Sequence, residues 1–195
     1  MVFANDTDLS LRSAVELVNS AAAPDSLTSI DDLDGIFDRY GYTGRHDRSD
    51  AELQQVRAIR GELRDLLLGD PETTVALINS TLGRFSSVPR LVRHDAIDWH
   101  LHAVDDFAPL AHRMLVETAM AMIDVIRADE TSRLTTCADD ECDGIVLDLS
   151  RNRSRRYCST TCGNRNAVAA YRARPDDTAG GTGIGRVMGH GRHDS

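Results

Sequence analysis

Four cysteines are the residues of this sequence whose type and spacing most clearly predict chemistry. They form two close pairs, Cys137 with Cys142 and Cys158 with Cys162, and fifteen residues separate the pairs. Two such pairs joined by a medium loop are typical of a structural site in which four thiolates hold Zn²⁺ at tetrahedral angles. The spacing therefore predicts a zinc site whose four ligands are these cysteines.

Two other interpretations of the cysteines stay open: four unrelated buried thiols, or a redox switch that releases zinc on oxidation. A site made of four cysteines leaves no open position for water or substrate. The sequence also lacks a nucleophile elbow, a phosphate-binding loop and a dinucleotide fingerprint. We therefore expect that the protein is not an enzyme.

The charges of the chain are distributed unevenly. The net charge is -9, and all 22 basic side chains are arginine. The first 136 residues hold 13 arginines against 23 acidic residues, whereas residues 150–174 hold seven arginines and no acidic residue. The sequence thus predicts an acidic body with one basic patch, which overlaps the predicted zinc site.

The basic patch has the composition of a DNA-binding surface. An arginine fork suits phosphates and guanine edges, and asparagine can read adenine. The predicted DNA-contacting residues are Arg151, Arg153, Arg155, Arg156, Asn164, Arg165 and Arg172. The alternatives are a solvated surface or salt bridges to the acidic body, and Arg165 in particular could pair with Asp148.

A short fold is expected around the cysteines. Residues 145–147 predict a strand, residues 155–157 predict a second strand that returns to Cys158, and residues 163–172 predict a helix stopped by Pro175. This treble-clef or ribbon-like ββα unit is too small to hold a core of its own. Zinc would therefore supply much of its folding free energy, on the order of 10 kcal/mol.

The upstream sequence predicts a mainly helical domain. Apolar residues at helical spacing indicate helices at 10–22, 30–39, 49–69, 71–82 and 106–127, and residues 88–103 indicate a β-hairpin. Ser49 with Glu52 has the pattern of a capping box, and Pro71 suits a first helical position. The expected fold class is α+β, mainly α: a helical N-terminal domain with a short hairpin, followed by the four-cysteine finger.

Other candidate features carry weaker predictions. His100 and His102 would share one face of a strand, which leaves a second metal site open, although surface or core roles are commoner for such residues. Residues 176–195 are glycine-rich and polar and predict a disordered tail. No secretion signal or membrane-length apolar run is present, so we expect a cytoplasmic protein without a membrane partner.

The cysteine region resembles the CGNR zinc finger, because Cys162-Gly163-Asn164-Arg165 reproduces the signature that names that family. Upstream, Glu16 to Ser20, the leucine-rich run at 60–68 and Pro89 to Val92 resemble the helical ABATE domain, which usually precedes this finger. The chain departs from the family at Gly144 and at Tyr157, where tryptophan is common. The resemblance covers roughly residues 10–174. Together with the composition of the tail at 176–195, it predicts a helical domain at 1–133 and the finger at 134–175.

The family that the chain resembles is described as one of stress-induced transcriptional regulators. The resemblance implies a zinc-dependent regulator whose finger contacts double-stranded DNA and whose helical domain senses a signal or dimerises. Because one small finger contacts few base pairs, we expect a homodimer. Glu16 and Asn19, in the stretch that resembles ABATE, could line a pocket for a small-molecule effector. The alternative is a zinc-stabilised protein-interaction module without sequence-specific DNA binding.

Overall fold

The computed structural model describes residues 3–94 and 97–172, and the predicted tail at 176–195 lies outside them. The described helices are α1 (Asn5–Asn19), α2 (Ile30–Arg39), α3 (Asp50–Ala58), α4 (Arg60–Leu68), α5 (Pro71–Arg84), α6 (Leu110–Arg127) and α7 (Thr160–Arg172). The described strands are β1 (Arg90–His94), β2 (Ile97–His102), β3 (Leu134–Thr136) and β4 (Ile145–Leu147). The fold is mainly helical with two small hairpins, as the sequence predicts.

Helix α6 forms the centre of the helical domain, because it packs against α1, α3, α4 and α5. Its apolar residues recur every three or four positions, and Leu110, Met114 and Ala119 are completely buried. Each large buried side chain of this kind contributes about 1.5–3 kcal/mol to stability. Within the described ranges, neither α6 nor any other helix is both long and apolar enough to span a membrane.

Side chains fix the starts of three helices. Ser29 and Asp32 form a complete capping box at α2, and Asp70 accepts hydrogen bonds from two backbone N–H groups at the start of α5, directly before Pro71. At α3 the predicted box is only half formed. The Ser49 hydroxyl accepts a hydrogen bond from the Glu52 N–H, but the Glu52 carboxylate accepts hydrogen bonds from the Arg48 N–H and His46 instead.

The single helix predicted at 49–69 is wrong, because the chain bends at Ile59 and forms α3 and α4. The bend brings Arg60 into the interior, where it is 8 % exposed. There its guanidinium donates to both carboxylate oxygens of Asp25, at 2.8 and 3.1 Å. The charged hydrogen bonds offset the cost of burying the cation, and both helices still turn their leucines into the core.

Strands β1 and β2 form the hairpin that the sequence predicts. They pair antiparallel, with Leu91 opposite Leu101 and an irregularity in the register after Val92. Successive side chains point to opposite faces of a strand, so Leu91, Trp99 and Leu101 are exposed while His100 is buried. One face of the hairpin therefore covers the helical domain.

The second hairpin differs from the prediction for the finger. Strand β4 pairs antiparallel with β3, with Leu134 opposite Leu147, whereas residues 153–157 form no strand. The physical reason is burial, because Leu134, Ile145 and Leu147 join the apolar core of the helical domain. The β3–β4 ribbon is thus built into that core, and the predicted boundary between residues 133 and 134 stays a prediction.

Candidate metal centre and nucleic-acid interface

The fold brings the four cysteines to one point. Cys137 follows β3, Cys142 lies in the turn before β4, Cys158 precedes α7 and Cys162 lies in its first turn. Their sulfur atoms all lie within 4.8 Å of one another. Among the described residues, this is the one group of three or more His, Cys, Asp or Glu side chains placed to hold a metal ion, and a second metal site at His100 and His102 stays an open possibility.

The distances between sulfur atoms fit a tetrahedral metal site. The Cys142 and Cys158 sulfurs are 3.5 Å apart, and the Cys158 and Cys162 sulfurs are 3.8 Å apart. Four ligands about 2.3 Å from a central Zn²⁺ would place neighbouring sulfurs about 3.8 Å apart. All four cysteines are free thiols.

The backbone around the sulfurs has the form expected for thiolate ligands. The N–H groups of Gly144 and Cys158 donate to the sulfurs of Cys142 and Cys137, both at 3.4 Å. A Cβ atom at Gly144 would lie 2.8 Å from the Cys158 sulfur, so only glycine fits there. Burial and the neighbouring sulfurs raise the pKa of the Cys158 thiol. Four thiolates this close therefore need a cation, which a bound metal ion supplies.

Arg165 supports the four-cysteine site in this structure. Its guanidinium donates to the Cys162 sulfur at 3.7 Å and lies 2.9 Å from the buried carboxylate of Asp139 and 2.8 Å from Glu141. The alternative partner considered from sequence, Asp148, instead accepts hydrogen bonds from the Ser150 and Arg155 N–H groups. Arg165 stays a predicted DNA contact, but its donors already have partners.

Two arginines of the loop at 151–156 also have partners within the chain. Arg153 donates to Glu130 at 2.6 Å and to the Ser132 hydroxyl at 3.1 Å. Arg155 donates to the backbone carbonyls of Tyr157 and Cys158. Both side chains are exposed. The bonds of Arg153 hold the loop to the segment before β3, and those of Arg155 hold it to the backbone at Cys158.

The remaining predicted DNA contacts are Arg151, Arg156, Asn164 and Arg172, and all of them are exposed. Within the described part of the chain, their side chains form no hydrogen bond or ion pair. Arg156 lies over the ring of Tyr157, 5.9 Å from its centroid. The guanidinium groups of Arg151, Arg156 and Arg172 are therefore available to an anionic partner.

Arg133 is a supporting residue that sequence reasoning missed. It is 6 % exposed, and its guanidinium donates to Glu130 and to the backbone carbonyls of Asp148 and Ser150. The same Glu130 carboxylate accepts from Arg153. Arg133 thus fixes the start of the arginine loop. The sequence signal that could have predicted the partners of Arg165 is the acidic pair Asp139 and Glu141 between the first two cysteines, whereas Arg133 bonds mostly to backbone carbonyls, which leave no such signal.

Glu16 and Asn19 line a cavity of about 390 Å³ between the helical domain and the finger, and Cys158 also belongs to its lining. Glu16 accepts hydrogen bonds from Arg39 and from the Tyr40 hydroxyl. The Asn19 amide donates to the Ile145 carbonyl at 2.9 Å and accepts from the Ile145 N–H at 2.6 Å. The polar atoms of both residues are therefore engaged, and an effector at this cavity stays a prediction.

Substituting Asn19→Ala should loosen the β3–β4 ribbon from α1. The change removes both hydrogen bonds to Ile145, and we expect the free energy of unfolding to fall by about 1–3 kcal/mol. Urea unfolding measures the loss, with the exposed Asn79→Ala on α5 as the matched control. Equal stability of the two variants would show that the Asn19 amide does not hold the ribbon.

The fold and the site define a mainly helical protein with a closed four-cysteine finger that can hold a metal ion. Two family models match the chain: the CGNR zinc finger at residues 133–175, and ABATE, described as “Putative stress-induced transcription regulator”, at residues 11–129. The second match covers more than half of the chain, so the protein belongs to the ABATE family and carries a CGNR zinc finger. A comparison with curated proteins finds no match.

Proposed function

We propose that this protein is a zinc-dependent transcriptional regulator that binds double-stranded DNA through its finger. The observation that carries the proposal is a set of three exposed arginines near or after a closed four-cysteine site, namely Arg151, Arg156 and Arg172, which form no hydrogen bond or ion pair with the part of the chain that the structure describes. Arginine in this setting can contact phosphates and guanine edges. The family description supports a regulator and not an enzyme.

The proposal also specifies the metal, the oligomeric state and location, and the role of the helical domain. Zinc is the metal, because four thiolates at tetrahedral spacing suit it. The protein acts as a homodimer in the cytoplasm, where thiols stay reduced and DNA is accessible. The helical domain senses a signal through a small-molecule effector or provides the dimer contact.

Selection from a random DNA library with zinc-loaded protein tests the proposal directly. We expect one enriched motif, and we expect the triple variant Arg151→Ala/Arg156→Ala/Arg172→Ala to lose it. The matched control replaces three exposed arginines of the helical domain, Arg12, Arg93 and Arg127, and should keep the motif. Enrichment that survives the first triple variant would place the DNA contacts elsewhere.

The affinity for DNA should depend on salt. If the three unpaired arginines each neutralise one phosphate, the logarithm of the binding constant falls with the logarithm of salt concentration at a slope of about -3. Fluorescence anisotropy between low and physiological salt measures the slope. A slope near zero would contradict phosphate binding by these residues.

A protein-interaction module is the second candidate, and a specific observation favours it. Val168 and Tyr171 of α7 are 48 % and 75 % exposed, and they lie three residues apart on the helix. An apolar pair next to the arginines would suit an acidic protein partner with an apolar patch. Specific zinc loading without an enriched DNA motif would favour this function.

A further inference from the structure

The helical domain contains a cavity of about 210 Å³ away from the finger. Its walls come from the start of α1, the turn after α2, strand β2 and the second half of α6. Leu9, Met120 and Ile123 provide apolar wall, and Tyr40 and Tyr42 add aromatic surface. A cavity of roughly 150 Å³ already accepts a benzene ring, so this one has room for a ring and a short chain.

Three carboxylates line the same cavity, namely Asp6, Glu117 and Asp124, against one arginine, Arg127. Asp6 accepts a hydrogen bond from the Leu101 N–H at 3.2 Å, and Asp124 accepts one from the Thr7 hydroxyl at 2.6 Å. The Glu117 carboxylate has no hydrogen-bond or ion-pair partner among the described residues. The cavity thus combines apolar walls with the Glu117 carboxylate, which has no cationic partner in the described part of the chain.

The arginine one turn before Glu117 is already used elsewhere. Arg113 is 4 % exposed, and its guanidinium donates to the backbone carbonyls of Thr43, Arg45 and Ala108. It therefore stabilises the loops around α6 and forms no ion pair with Glu117. The Glu117 side chain is only partly exposed. Partial burial of a carboxylate without a cation is costly, and a cation brought by a ligand would reduce that cost.

We propose that this cavity binds a small organic cation, an amine that carries an apolar group, with the ammonium at Glu117. The apolar group would lie against Met120 and Ile123, and Asp6 and Asp124 would add to the negative potential. The proposal concerns the helical domain alone. Its failure would leave DNA binding by the finger untouched, because its test uses no DNA.

The affinity for such a ligand should rise with pH. Burial raises the pKa of Glu117 to about 7, and Asp106 and Asp6 act in the same direction while Arg113 opposes them. The carboxyl group is therefore mostly protonated at pH 6 and mostly ionised at pH 8, and only the ionised form attracts an ammonium. We expect binding to be about tenfold tighter at pH 8 than at pH 6.

Other ionisable groups near Glu117 also influence how ligand binding depends on pH, and their effects must be separated from that of Glu117. They are Asp6, Asp124 and Arg127 in the cavity wall, Asp106 and Arg113 nearby, Tyr42, and the imidazoles of His100 and His102. The pH dependence is therefore measured in the wild type and in Glu117→Gln, which keeps the shape and removes the charge.

Isothermal titration with 2-phenylethylamine tests the proposal, with 2-phenylethanol and 3-phenylpropionate as neutral and anionic analogues. For the wild type we expect a Kd below about 10 mM for the amine. We expect at least about tenfold weaker binding of both analogues, because a charged hydrogen bond is lost. In Glu117→Gln the preference for the amine should fall to about twofold or less, whereas Glu72→Gln, at an exposed position of α5, should keep it.

Several outcomes would overturn the proposal. These are the absence of saturable amine binding by the wild type, equal binding of the neutral or anionic analogue, and an unchanged amine preference in Glu117→Gln. Circular dichroism of Glu117→Gln establishes that the variant is folded. If it is not, Asp124→Asn provides the second charge-removing variant, and an unchanged amine affinity in that variant would count against the proposal.

Discussion

Replacing Cys158 by serine is expected to unfold the finger and to leave the helical domain folded. The change removes one of four thiolates, and metal binding supplies on the order of 10 kcal/mol to small zinc domains. Besides the ribbon residues that join the core of the helical domain, the described part of the finger has only a small apolar cluster, in which Val146 of β4 packs with Cys137, Cys162 and a few partly buried neighbours. It therefore cannot keep its fold without the metal.

The structure predicts which segments should stay folded when the metal is lost. Leu134, Ile145 and Leu147 belong to the core of the helical domain, so the ribbon should stay paired when the metal is lost. The turn that holds Cys142, the arginine loop and α7 contribute nothing to that core. We expect loss of amide protection in these segments and continued protection in α1, α6 and β4.

Hydrogen exchange followed by mass spectrometry measures this pattern, in Cys158→Ser and in wild type treated with a zinc chelator. Ser154→Ala in the exposed arginine loop is the control and should behave as the wild type. Loss of protection in α6 would show that the helical domain depends on the metal. Full protection of α7 after chelation would show that the metal does not hold the finger.

The parts of this molecule that the sequence predicts well are those fixed by local chemistry. Cysteine spacing predicts the thiol cluster, because short turns bring two neighbouring thiols together whatever the surrounding fold. Pro71 predicts the start of α5, because proline suits a first helical position, and the structure adds Asp70 as the cap whose carboxylate accepts from N–H groups two and three residues away. These signals need no knowledge of tertiary structure.

The pairing of strands could not be predicted in the same way. Residues 155–157 follow the arginine loop and end at Cys158, so they resemble the return strand of a hairpin. Leu134 to Thr136 resemble a linker, since only one of the three is strongly apolar. The deciding factor is the burial of Leu134 against the helical domain, a long-range contact that leaves no trace in local periodicity.

The arginines near the four cysteines show the same limit of prediction from sequence. The sequence places seven of them beside the cysteines, but it does not show which guanidinium groups bond within the chain. Arg153 reaches Glu130, 23 positions away, and Arg165 reaches Asp139 and Glu141 across the metal site. Because folding decides these partners, the predicted DNA surface divides into supporting arginines and unpaired ones only once the structure is known.

Replacing Arg165 by alanine is expected to weaken zinc binding by about 10–100-fold, the usual cost of removing a group that supports metal ligands. The guanidinium donates to the Cys162 sulfur and compensates the charge of Asp139, whose side chain is 4 % exposed. Without it, the buried Asp139 carboxylate would lie uncompensated beside the thiolates, and the Cys162 sulfur would lose a donor, both of which favour the protonated thiol that does not bind zinc. Arg165→Lys should give an intermediate loss, since lysine keeps the charge but not the planar fork.

Competition with a chromophoric chelator measures the zinc affinity, and fluorescence anisotropy measures the DNA affinity of the zinc-loaded protein. Arg172→Ala, an exposed arginine on the same helix, is the matched control: its zinc affinity should equal that of the wild type while its DNA affinity falls. The two variants thus separate support of the metal from contact with DNA. If Arg165→Ala instead keeps its zinc affinity and loses DNA binding when fully loaded, then Arg165 is a DNA contact, and its bonds to Asp139 and Glu141 must open when DNA binds.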